Sequence, residues 1–173
     1  GTGELNHVTE AEARRLIGEA PDRTKQLLLK LLWHTGARIS EILSFTPSSI
    51  DFEDALLTIE RQKRSDGAVQ QLPLPRDLTS DLRIYIQERG IDPNDPIIDV
   101  HRKTAWKWTR DLGEQVLDRK ITPHMFRHGR AYYLLSRDVP AAFVARVLGH
   151  STLSSIMQYF HPDTEDLRRV VEL

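Results

Sequence analysis

The sequence predicts a mainly α-helical fold with a small antiparallel β-sheet near the middle, an α+β class. Three observations carry this expectation. Capping residues stand in front of apolar runs of helical period over most of the chain. Two runs of β type, "ALLTIER" and "AVQQLPLP", flank "QKRSDG", whose Asp66-Gly67 is a hairpin signal. With 173 residues, 39% hydrophobic and 28% charged, the chain is long enough to bury a real core as a single domain spanning 1–173. The absence of cysteine excludes disulfides and thiolate metal sites and favours an intracellular home. No apolar run is long enough to cross a bilayer, and the N-terminus lacks a basic-then-apolar signal pattern.

Each element has its own local reason. Thr9 and Glu12 form a capping box, so a first helix starts there and ends near Glu19. After Pro21-Asp22 the apolar stretch Leu27 to Trp33 reads as a buried helix that Gly36 stops. A third helix begins near Arg38, and "TPSSIDFED" is turn chemistry ahead of the hairpin. Asp77 starts a helix that ends near Gly90, "DPNDP" is a loop and "PIIDV" a short extended piece. A helix over 102–118 carries Trp106 and Trp108. The next opens with Thr122 as N-cap and Pro123 in its first turn. Pro140 begins a further short helix, and Ser151 caps one over "STLSSIMQYF".

The formal net charge of −1 conceals an asymmetry. Residues 101–137 hold nine Lys/Arg against three carboxylates, a local balance of +6, whereas the first sixty residues hold ten carboxylates against six Lys/Arg. Such a distribution fits one basic face for polyanion contact, although a charge cluster is more often a solvated face.

"HMFRH" poses a sharper question. His124 and His128 stand four apart, half of a zinc-protease pattern, but Met125 occupies the position of the required Glu, and Arg127 would repel a dication. A phosphate-gripping reading gains from the rest of the chain. Arg38 follows "HTGA" at a helix start, where free backbone N–H groups favour an anion. With Arg127 it supplies two guanidinium forks for one phosphodiester. His124 and His150 add donors near neutral pH, Lys63 lies in a hairpin where it could reach a leaving group, and Tyr159 follows His150 by nine positions. Each alone has a bland reading as surface, cap or packing; the ordered set carries the argument.

That set resembles the catalytic domain of the tyrosine recombinases, the phage integrase and Xer family. The matching motifs are "HTGARISEIL" (34–43), the Lys63 hairpin ending in "LPLP", "HMFRH" (124–128), "LGHST" (148–152) and "MQYFH" (157–161). They stand in the family's order and cover nearly the whole chain. The resemblance implies a DNA strand transferase in which Tyr159 attacks a phosphodiester and forms a 3′-phosphotyrosyl intermediate. Arg38, Arg127, His124 and His150 would hold the phosphate, Lys63 would act as general acid, and neither metal nor cofactor is needed. Glu41 would orient Arg38 or a histidine, His128 would pack or support the box, and Tyr132 and Tyr133 would be core or flank. Expected DNA contacts are Arg64, Arg102, Lys103, Lys107, Arg110, Lys120 and Arg130, mostly to phosphate. The implied partner is a double-stranded recombination site, on which a chain that is monomeric alone assembles as a tetramer, in the cytoplasm or nucleoid. Leu167, Val170 and Val171 form a small apolar face suited to a neighbouring protomer or to the chain's own domain.

Two departures from the family's pattern stand out. The N-terminal helical domain that clamps DNA in relatives is absent from this chain, so the expectation is either a fragment or a minimal recombinase, with Gly1-Thr2-Gly3 favouring a fragment. Gly129 replaces the usual Thr or Ser after the "RH" pair, which would loosen that helix by ~1 kcal/mol. Competing expectations are topoisomerase-like nicking and resealing, or an inactive DNA-binding regulator.

Overall fold

A computed structural model describes residues 6–61, 69–149 and 164–173. The lysine hairpin tip with Lys63 and Arg64, and the segment bearing His150, the Ser151 helix and Tyr159, lie outside the described residues.

The first helix, α1 (Glu10–Glu19), starts at the expected capping box: Thr9 Oγ1 accepts the Glu12 N–H at 3.2 Å, and Glu12 accepts the Thr9 N–H at 3.0 Å. Next comes α2 (Arg23–Thr35), capped by Asp22 and closed at Gly36. Seven of its residues are buried, and it packs against α1, α3 (Ile39–Ile42), α4 (Arg76–Arg89) and α6 (Pro123–Ser136). A helix apolar on nearly all sides belongs at the centre of a bundle, and this one is there. Around it close Leu16, Ile42, Leu82, Ile98, Ile121 and Phe126, each no more than 1% exposed.

The sheet has three antiparallel strands in the order β1 (Ile50–Asp51), β2 (Leu56–Glu60) and β3 (Val69–Pro73). β2 and β3 are the two predicted runs, in register Leu57 to Leu72 and Glu60 to Val69. Strand β1 comes from the stretch expected to be turn chemistry. Asp51 Oδ1 accepts from the N–H groups of Glu53 and Asp54, and Ala55 takes φ +53°, so a tight turn sends the chain straight back to pair Ile50 with Leu57. The "PIIDV" stretch, by contrast, is bends rather than strand: Ile97 and Ile98 are buried, and the Ile97 N–H donates to the Phe45 carbonyl.

The helix predicted over 102–118 is α5 (Arg102–Leu112), followed by a single π-helical turn, Gly113–Leu117. Thr122 stands at the N-cap of α6 in extended conformation with Pro123 behind it, although its side chain makes no capping bond. Helix α7 (Ala141–Leu148) packs on α6 through a second apolar cluster of Ala131, Val144, Ala145 and Leu148. The described chain ends in α8 (Thr164–Val171).

Gly129 is not a loosened point in α6. A Cβ there would lie 1.9 Å from the carbonyl oxygen of Val8, so the position admits no side chain. Residues 7–8 run directly over it. The Val8 N–H donates to the Met125 carbonyl at 3.0 Å, and the His7 ring lies 4.2 Å from that of Tyr132. Arg119 fastens the same segment through Glu12 at 3.0 Å and the His7 carbonyl at 2.6 Å. The expected destabilisation at Gly129 is therefore replaced by a required close approach.

Candidate active site

The turn "HTGAR" is built by its own side chains. Thr35 Oγ1 donates to the Leu31 carbonyl and accepts the Ala37 N–H, Gly36 closes α2, and Arg38 becomes the N-cap of α3. Glu41, three residues on and 3% exposed, turns back so that its Oε1 accepts the Arg38 N–H at 2.8 Å. Its Oε2 lies 3.8 Å from Arg38 Nη1. The expected pairing of Glu41 with Arg38 is present. The amides just before the helix are bonded, that of Ala37 to Thr35 Oγ1 and that of Arg38 to Glu41 Oε1.

Arg127 reaches the same turn from α6. It is 2% exposed, and its Nη1 donates to the Gly36 carbonyl at 2.8 Å, two residues before Arg38. One turn of backbone thus separates the attachment points of two guanidiniums that are 89 positions apart in sequence. A carbonyl bond of this kind fixes a planar fork in one orientation, which a lysine cannot reproduce.

The histidines of the box differ. His124 is exposed; His128 is partly buried, and the two rings meet edge to face with centroids 4.4 Å apart. Burial first, then His124, Arg127 and His7, push the His128 pKa down to about 4. At neutral pH it is therefore a neutral ring, suited to supporting His124 rather than adding a second cation. Among the described residues no group of three or more His, Cys, Asp or Glu side chains is disposed to hold a metal.

The sequence reading missed Arg61. It is 2% exposed at the end of β2, and its Nη1 donates to Glu41 Oε1 at 3.0 Å. Glu41 therefore serves two arginines, the nearer of which was not anticipated. Its only sequence signal is a charged residue directly after the buried alternation of β2.

Five of the expected DNA contacts, Arg102, Lys103, Lys107, Arg110 and Lys120, line one groove of about 750 Å³ with Trp106. Arg130 lies apart. Its guanidinium sits 5.4 Å from the Trp33 ring centroid and 5.3 Å from that of Tyr133, and burial lowers its pKa. Leu167, Val170 and Val171 of α8 are all exposed.

This fold, with two arginines brought to one turn from α2–α3 and α6, defines a class: the chain belongs to the phage integrase family, which it matches over residues 6–166. Among curated relatives, the tyrosine recombinase XerA of Pyrococcus furiosus is 29% identical over 95% of this chain and 60% of its own length. XerA of Thermococcus onnurineus is 30% identical over 95% of this chain and 61% of its own. The chain thus spans about three fifths of the length of these relatives. In structure it is similar to a crystal structure of XerA recombinase, with a TM-score of 0.78 and 24% identity over 99% of this chain and 64% of that one. It is also similar to XerH site-specific recombinase bound to its difH substrate in a pre-cleavage complex, with a TM-score of 0.82 and 20% identity over 98% of this chain and 54% of that one. No helix among the described residues is long and apolar enough to cross a membrane.

Proposed function

We propose that this chain is the catalytic domain of a site-specific DNA recombinase that breaks and rejoins strands through a 3′-phosphotyrosyl intermediate. The observation that supports it best is the convergence of Arg38 and Arg127 on the Gly36 turn, with Glu41 buried behind them, in a member of this family. In this reading Tyr159 Oη gives its proton to His124 and attacks phosphorus in line, the P–O5′ bond breaks, and Lys63 gives its proton to the departing 5′-oxygen. The two guanidiniums, with His124 and His150, meet the negative charge that grows on the non-bridging oxygens. Each such preorganised donor is worth about 3 kcal/mol of barrier. Attack by the 5′-hydroxyl of another strand reverses the chemistry and rejoins DNA, so the bond energy is conserved without a nucleotide cofactor.

The α5 groove is the proposed path of the DNA backbone, because its cations are exposed and line one groove. The exposed face of α8 is the proposed contact with a neighbouring protomer in a tetramer assembled on the site. The test is covalent trapping on nicked duplexes in EDTA, wild type against Tyr159→Phe, with relatives' sites and a random-sequence pool as substrates. An adduct that survives SDS and disappears in the variant is expected. Adduct formation by the variant would move the nucleophile elsewhere.

A further inference from the structure

Arg61 makes more bonds than an arginine needs to be buried. Nη1 donates to Glu41, Nε and Nη2 both donate to Gln70 Oε1 at 3.2 and 2.8 Å, and Nη2 also donates to the Val147 carbonyl at 3.0 Å. Gln70 then donates to the Arg146 carbonyl at 2.7 Å. At the end of α7 the Gly149 N–H donates to the Ala145 and Arg146 carbonyls, and Arg61 and Gln70 add bonds from the sheet to the Val147 and Arg146 carbonyls. The guanidinium also lies against Gly149, where φ is +71° and a Cβ would fall 2.4 Å from Nε. Gly149 is therefore required twice, for its backbone conformation and for its missing side chain.

The places this one side chain touches are not arbitrary. Gly149 directly precedes His150, Arg61 precedes Lys63 by two residues, and Glu41 faces Arg38. We propose that Arg61 is a positioning residue for strand cleavage: its guanidinium ties the chain entering His150 and the strand entering Lys63 to the carboxylate that holds Arg38. The proposal rests on the recombinase reading above. An arginine suits this work because its five donors reach three acceptors in one plane, which an ammonium cannot do.

The test separates positioning from mere support of the fold. Wild type, Arg61→Lys and Gln70→Met are compared in single-turnover adduct formation on the duplex that wild type selects from a random pool, made with oxygen or with sulfur at the scissile 5′ position. A 5′-thiolate leaves without a proton, so it removes the demand on Lys63. Rates are taken per folded molecule, from thermal melts of each variant, and DNA affinity is measured alongside. Arg61→Lys is expected to slow cleavage of the oxygen substrate about 100-fold and Gln70→Met about tenfold, in line with the effect of small misplacements of reacting groups. On the sulfur substrate both deficits should shrink at least tenfold, by a ratio that a folding defect cannot produce. Equal deficits on the two substrates, or none on either, would overturn the proposal while leaving the recombinase reading intact. If Arg61→Lys does not fold, Gln70→Met carries the same comparison alone. Failure of wild type to form an adduct on any duplex would instead remove the reading and the proposal together.

Discussion

Two cationic regions of this molecule use charge in opposite ways. Around the Gly36 turn, Arg61 and Arg127 are almost wholly buried and bonded to carbonyls or to Glu41. Along α5, Arg102, Lys103, Lys107 and Arg110 stand at the surface of an open groove. A buried guanidinium in low dielectric is expensive to place and hard to move, so it fixes geometry. An exposed ammonium is screened by salt and repositions freely, so it contributes affinity without register. In the proposed recombinase the first region would serve a transition state and the second a polyanion of any sequence.

The comparison breaks most visibly at Arg127. Arg127→Lys keeps the charge and loses the fork, and the adduct rate should fall by about 100-fold or more. Measured at low and at high salt, the ratio to wild type should stay constant. A ratio that drifted with salt would place Arg127 with the groove. Gly129→Ala tests whether the segment over α6 is part of the same rigid region. Its methyl group must displace the Val8 carbonyl, and stability in urea should drop by about 2–3 kcal/mol.

His128 sharpens the comparison through pH. Its pKa in the fold is about 4, below the ordinary 6.5, so between those values the unfolded chain holds a proton that the folded chain refuses. Stability is full above pH 6.5 and declines as pH falls toward 4, and His128→Phe should flatten urea midpoints across that window. The smallest effect belongs to the groove. Lys107→Ala should weaken DNA binding by less than about tenfold on every sequence and lower the slope of log K against log salt by about 1.

Most of the elements were legible because their signals are local. The Thr9–Glu12 box, the Gly36 and Gly90 stops and the α5 cations at helical spacing each need only a handful of adjacent residues. Arg38 and Arg127 were legible through their motifs. Arg61 was not, because besides Gln70 its partners Glu41 and Val147 lie 20 and 86 positions away, and no periodicity announces such a bond. Gly129 was misjudged for the same reason: a helix propensity counts the glycine and cannot see the Val8 carbonyl above it. Strand β1 was hidden inside a turn so tight that its two residues read as part of the loop.

Glu41 Oε1 accepts both the backbone N–H of Arg38 and the side chain of Arg61. Helix α3 is only four residues long, too short to hold itself by propagation, so this carboxylate adds to the backbone bonds that close its first turn. Movement of the Glu41 carboxylate out of this turn would free the Arg38 amide and release Arg61 together. The hydrogen-exchange rate of that single amide then reports how often Glu41 leaves the turn, and DNA that engages Arg38 should slow it.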